Sequence, residues 1–239
     1  MIKFENGEIV GWEAAIRGMR NPMNSWEKSD SFPCIGCEGC EPGQECERYN
    51  DGTFIGPNDL DLMKRLRNAG TDHRKFMRMI TVYTDIIAPL YWWKEFDTYK
   101  VGTVANSCST MHKIQAKEFT LDDFSHEHIP DDHSDEFDFE IMGPDDVWSS
   151  KTVFDLIIIA LNTYRKKYLE TKDKKYWWQM IQLLPSSYNQ RRTIMLNYEV
   201  LANIYKSRRN HKLDEWRAFC EWIENLPYSE LITGEIGEN

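Results

Sequence analysis

Three side chains near the C-terminus have types and spacing that could hold a ligand: Asn197, Asn203 and Arg208, set as N-x5-N-x4-R. Amides offer donors and acceptors together, and a guanidinium presents a planar fork that matches carbonyls and phosphates. If the stretch is one helix, the asparagines lie roughly 120° apart. They then border one ligand without forming a single stripe. The competing reading is a surface helix with ordinary polar residues, and composition alone favours it.

A second group of chemistry-bearing residues lies at PCIGCEGCEPGQEC, which places Cys34, Cys37, Cys40 and Cys46 as C-x2-C-x2-C-x5-C. In a reducing compartment such clustering favours a metal over disulfides. The tight spacing lets two thiolates reach one ion, and the intervening glycines permit the turns. Zinc with four thiolates and an iron–sulfur cluster both fit. A flexible acidic loop with reduced cysteines is the alternative. A metal here reads as structural rather than catalytic.

Residues 97–113 read as a loop. Lys100, Thr103, Asn106, Ser107, Ser109 and His112 offer donors in series around Gly102, which could wrap a phosphate or a pyrimidine. A solvated connector fits the composition equally. Residues 117–148 are strongly acidic and include His126, His128 and His133. They read as a solvated acidic loop, with divalent metal binding as the alternative.

The elements that must position these groups follow from periodicity. Trp12, Ala15, Ile16 and Met19 share one helix face. Residues 58–69 make a second helix, with Asn58 as its N-cap, a stripe of Leu62, Leu66 and Ala69, and Gly70 as its stop. Ile80 to Thr84 alternates as a strand, and Pro89 opens a helix whose Trp92, Trp93 and Phe96 belong to a core. Ser150 caps a long helix, Asp173 opens another, a third spans Thr193 to Lys206 and a fourth follows Asn210. The tail after Pro227 reads as frayed.

At 239 residues the chain is one good-sized domain, or a domain with an insertion. Its formal net charge of −10 argues against general nucleic-acid binding but permits a local basic pocket for a small anion. No apolar run suits a membrane helix and no secretory h-region is visible, so the chain reads as cytoplasmic with no membrane partner.

Leu184-Pro185, then Asn197, Asn203 and Arg208, then a final helix with Trp216 and Arg217, resembles the C-terminal signature of the flavin-dependent thymidylate synthases. The upstream order agrees: His73, the strand around Ile80, the Trp92–Phe96 helix, then the hydroxyl-rich loop. The resemblance spans roughly residues 58–226. It implies an α+β fold, a mixed or antiparallel sheet flanked by helices, with a long C-terminal helical part. It implies one domain over 1–239, carrying a Cys-rich insertion at about 33–50 and an acidic loop at about 117–148.

It further implies FAD, with His73, Lys75, Tyr99, Lys100, Asn197 and Asn203 at the cofactor. Thr103, Ser107, Ser109 and Arg208 would face a nucleotide substrate, with Arg208 the catalytic group at the pyrimidine carbonyl. The implied reaction passes a one-carbon unit from methylene-tetrahydrofolate to C5 of dUMP or a relative, with NADPH as reductant, in a homotetramer. The departures are specific. The family's R-H-R reads Thr98-Tyr99-Lys100, the loop glutamate is Asn106 or Ser107, the loop's closing arginine is Met111, and a further arginine is Ile181. Lost guanidiniums weaken bidentate phosphate recognition; Lys75, Lys100, Arg191 and Arg192 are the available substitutes. A non-catalytic homologue that binds a nucleotide or a partner is the alternative, and an iron–sulfur redox protein a third.

Overall fold

The computed structural model describes residues 2–33, 49–50, 52–130, 137–143 and 146–234. Its strands are β1 (Lys3–Val10), β2 (Phe32–Pro33), β3 (Tyr49–Asn50), β4 (Thr53–Phe54), β5 (Thr81–Pro89), β6 (Val104–Ser107), β7 (Asp138–Glu140), β8 (Val147–Ser149) and β9 (Asn189–Asn197). Its helices are α1 (Trp12–Arg20), α2 (Pro57–Asn68), α3 (Leu90–Phe96), α4 (Thr110–Lys113), α5 (Ser150–Thr171), α6 (Lys174–Leu183), α7 (Tyr198–Arg208), α8 (Asp214–Glu224) and α9 (Glu230–Thr233). The fold is α+β, helices with antiparallel sheet. The main sheet orders its strands β1-β5-β9-β6; β2-β4-β3 and β7-β8 form small antiparallel sheets. The chain divides into two compact units.

One unit comprises Ile2–Ile86, Asp97–Asn106 and Thr193–Asn239. Here α1 buries Trp12, Ala15, Ile16 and Met19, the face its spacing dictates. Burying an Ile or Met side chain contributes about 1.5–3 kcal/mol. Trp12 stands edge-on to the Tyr198 ring, 5.2 Å between centroids. Gly11 adopts φ 97, and a Cβ there would lie 2.1 Å from the Met79 carbonyl oxygen, so only glycine fits. Arg20, at the end of α1, is buried and its Nε donates to Asp59 Oδ1 at 2.6 Å. Asp59 Oδ2 accepts from the Ser29 and Ser31 hydroxyls, each at 2.6 Å, and from the backbone amides of Asp30 and Ser31.

The N-cap of α2 is Gly56, not Asn58. Its first-turn amides are satisfied by a residue remote in sequence: the Asp30 carboxylate accepts from Asn58 N at 2.9 Å and Asp59 N at 3.0 Å. A Cβ on residue 56 would strike that carboxylate at 2.1 Å, which explains the glycine. The buried face of α2 is Asp59, Leu62 and Met63; Ala69 is exposed. Pro89 ends β5 instead of opening α3. The tail is not frayed as far as Gly234, because α9 buries Leu231 and Ile232.

The other unit contains Ile87–Phe96 and Ser107–Arg192. Trp92, Trp93 and Phe96 are buried as expected. Ile114, Phe119, Phe124, Phe154, Leu161 and Met180 form a second cluster. Phe119 and Phe124 correct the reading of 117–148 as wholly solvated, since these two rings anchor its first part. Ser149, not Ser150, caps α5, its hydroxyl accepting from Thr152 N. Asp173 caps α6 as expected.

Two expectations about the C-terminal half and the loop fail. Residues 189–197 are a strand, so the helix predicted from Thr193 starts only at Tyr198. The reason is a period of two: Ile194 and Leu196 are buried while Thr193 is exposed and Met195 only partly covered. Residues 97–113 are not one loop: they hold edge strand β6 and short helix α4.

Candidate functional site

The residues expected to meet flavin and nucleotide gather mostly in the unit that contains α7. Asn197 ends β9 and is the N-cap of α7, its Oδ1 accepting from Val200 N at 3.0 Å. It therefore does not share a helical face with Asn203, and the 120° geometry does not apply. Asn203 lies exposed on α7, and its Oδ1 accepts from Arg74 Nη2 at 3.0 Å.

Arg74 belongs to the 3-10 turn Arg74–Arg78, whose N-cap is His73. His73 and Lys75 are exposed on this turn. Arg74 Nε also donates to Glu199 Oε1 at 3.2 Å, and Arg78 Nε bonds the other carboxylate oxygen. Burial pushes the Glu199 carboxyl up. The hydrogen bonds and charges of Arg78 and Arg74 more than reverse this and hold it below the usual carboxylate range. The turn bearing His73 and the helix bearing Asn203 are thus joined by a buried carboxylate.

Arg208 is the last residue of α7. Its Nε donates to the Tyr99 hydroxyl at 2.8 Å, and its guanidinium carbon lies 4.6 Å from the Trp216 ring centroid. Trp216 is fully buried, so it forms a fixed floor under the guanidinium. The Thr103 hydroxyl bonds the Tyr99 carbonyl and closes the turn around Gly102. Gly102 has φ 76, and a Cβ there would sit 3.1 Å from Asn197 Nδ2 and from Val200 Cγ2. The Tyr99–Thr103 turn therefore follows α7, touching its first turn at Asn197 and Val200 and its last residue at Arg208. Lys100 on this turn is exposed.

Ser107 and Ser109 belong to the other unit, and both are exposed. The Ser109 hydroxyl caps α4, accepting from His112 N at 3.0 Å. Cys108 N donates to Arg191 O, and Gln190 Nε2 donates to Cys108 O, each at 2.9 Å. Arg192 stacks on Trp93, 4.2 Å from guanidinium carbon to ring centroid. This pairing gives Ser107 to Ser109 a strand-like frame beside two arginines.

Cys34, Cys37, Cys40 and Cys46 lie outside the described residues, as does His133. Among the described residues no three His, Cys, Asp or Glu side chains form a metal-holding group. No described helix is long and apolar enough to cross a membrane. Sequence reading missed Arg74, Arg78 and Glu199. The four-residue spacing of Arg74 and Arg78, beside His73, was the available signal.

The architecture places this chain with a known class of fold, that of the flavin-dependent thymidylate synthases. A thymidylate synthase X from Helicobacter pylori, solved with FAD and dUMP, matches over 98% of this chain and 98% of its own at 16% identity, with a TM-score of 0.62. A second structure of that enzyme, complexed with FAD and dUMP, gives 0.63 at 16% identity over 97% and 98%. The UMP/dUMP methylase PolB from Streptomyces cacaoi, bound with 5-Br dUMP, matches 94% of this chain and 88% of its own at 14% identity, with a TM-score of 0.52. The sequence itself matches no family model and no curated protein.

Proposed function

We propose that this chain is a flavin-dependent pyrimidine nucleotide methyltransferase. It would pass a one-carbon unit from methylene-tetrahydrofolate to C5 of dUMP or a related nucleotide. The observation that carries this reading is the full-length match to enzymes solved with FAD and dUMP. The donor set fits the cofactor: His73, Arg74 and Lys75 line one exposed turn, with the Asn203 amide bonded beside them. Such groups suit a pyrophosphate and flavin carbonyls. When bound, reduced flavin supplies the hydride, with NADPH as the reductant.

The chain's own residues then act by positioning and electrostatics. Arg208, held by Tyr99 and Trp216, would polarise a pyrimidine carbonyl. Asn197 would keep α7 in register through its cap. Thr103 would hold the Tyr99 turn closed, and Lys100 on that turn would serve the nucleotide phosphate. A homotetramer is the proposed assembly, supported by the exposed Leu156 and Ile159 on α5. A metal at Cys34, Cys37, Cys40 and Cys46 would be structural.

A second reading is a non-catalytic nucleotide-binding homologue. One observation favours it: Thr98-Tyr99-Lys100 spends the Tyr99 hydroxyl on Arg208 within the chain. The test is purified protein with FAD, NADPH, methylene-tetrahydrofolate and dUMP tritiated at C5. Tritium release with formation of a 5-methyl product supports the enzyme. Nucleotide binding with neither supports the second reading.

A further inference from the structure

The net charge of −10 hides a local reversal. Between Arg165 and Trp178 there are six cations and only two carboxylates, Glu170 and Asp173. This stretch is the end of α5, its left-handed C-cap at Lys172, and the start of α6. The helical hairpin turns here, so lysines from both helices share one tip.

Asp173 is already spent. Its Oδ1 accepts from Lys175 N at 3.0 Å, and its Oδ2 pairs with Lys175 Nζ at 2.9 Å. Arg165 is also committed, its Nε donating to Gln115 O at 3.0 Å. Lys166, Lys167, Lys172 and Lys174 have no carboxylate partner among the described residues. Several instead lie over rings. Lys174 Nζ is 5.7 Å from both the Trp177 and Trp178 centroids, and Lys172 Nζ is 6.0 Å from Tyr168.

The two indoles differ. Trp177 is pinned, its Nε1 donating to Met111 O at 3.0 Å. Trp178 stands across it at 70°, 4.8 Å between centroids, and is 44% exposed. Among the described residues, Trp178 differs from other exposed apolar side chains in having an ammonium group over its ring. Ammonium groups around a braced, exposed ring are the elements that hold phosphates and stack a base. A polyanion without rings offers no flat partner for the indole, and a duplex hides its base faces.

We propose that the tip of the α5–α6 hairpin binds single-stranded nucleic acid, with the unneutralised lysines on phosphates and Trp178 stacked on a base. This surface does not depend on the nucleotide chemistry proposed above.

The test is fluorescence anisotropy of a labelled oligothymidylate of about 12 nucleotides with the full chain. Four phosphate contacts give a slope of about −3 for log affinity against log salt. Trp178→Ala lowers affinity by about five- to 150-fold with the slope unchanged. Lys172→Gln with Lys174→Gln shallows the slope by about 1.4. All three side chains are exposed, and unaltered thermal melting confirms that the variants fold. The proposal is overturned by an absence of binding, by equal affinity for duplex, by equal competition from polyglutamate, or by a Trp178→Ala protein that binds as before.

Discussion

Arg208→Ala is the perturbation that separates structure from function most cleanly. In the folded chain the guanidinium hydrogen-bonds the Tyr99 phenol and faces two rings, Trp216 at 4.6 Å and Tyr99 at 5.6 Å. Two cation–π contacts of about 0.5–1 kcal/mol each account for about 1–2 kcal/mol of the stability loss before the Tyr99 hydrogen bond is counted. For a chain of this size that lowers Tm by roughly 2–8 °C. Against a nucleotide the same group makes a charge-assisted hydrogen bond worth about 1.5–3 kcal/mol. The expected loss of dUMP affinity is therefore about 10- to 150-fold.

Arg208→Lys keeps the charge but not the planar fork, so it should fall between the two. The assay is equilibrium binding of dUMP to FAD-loaded protein, alongside FAD content and thermal melting. Unchanged dUMP affinity in the alanine variant, with FAD still bound, would remove Arg208 from the nucleotide site and refute the role argued for it.

Four further predictions concern the frame and the cysteine cluster. Asp59→Ala leaves the buried Arg20 without its counter-charge and should cost about 3–5 kcal/mol in urea denaturation; a loss under about 1 kcal/mol would mean that water reaches Arg20. Burial pushes the Asp59 carboxyl up, but hydrogen bonds from Ser29, Ser31 and Arg20, with the Arg20 charge, hold it below its ordinary value. Its contribution is therefore full above the unfolded carboxylate value of about 3.9 and is lost as pH falls through the lower folded value. A wild-type stability profile below about pH 4 should be steeper than that of Asp59→Ala. Gly102→Ala forces a Cβ into left-handed backbone against Asn197 and Val200 and should cost about 1–2 kcal/mol; an unchanged Tm would show that the turn relaxes. Cys37→Ser should lower bound metal measured by elemental analysis, and equal metal content in both proteins would end the metal-site reading.

The sequence announced elements wherever a face was amphipathic. Trp12, Ala15, Ile16 and Met19 gave α1, and Trp92, Trp93 and Phe96 gave the start of the second unit's core. It misled where two periods coexist: Leu196 and Met195 are good helix formers, yet burial alternates through β9. Strand β6 was hidden because every residue in it is exposed, leaving no apolar signal. Two phenylalanines anchoring an acidic stretch were hidden by the surrounding charge. Caps supplied from far along the chain, such as Asp30 on α2, cannot be read from local spacing. Arg208 stood out as a candidate through order and spacing. Arg74 and Glu199 were not, because their meeting spans 125 positions of chain.

The small β2-β4-β3 sheet has a consequence for the chain length it can accept. Pro33 pairs with Thr53, and both Phe32 and Tyr49 pair with Phe54, so the chain leaves at Pro33 and returns at Tyr49 on either side of one short strand. The Asp59 knot secures the departing side just before this point. Whatever lies between those two residues is joined to the scaffold through a closed gate. Lengthening it costs only about 0.6 kcal/mol per doubling. A change in the length of the segment between Pro33 and Tyr49 is therefore absorbed at these two anchored ends, while α2 and its cap stay as they are.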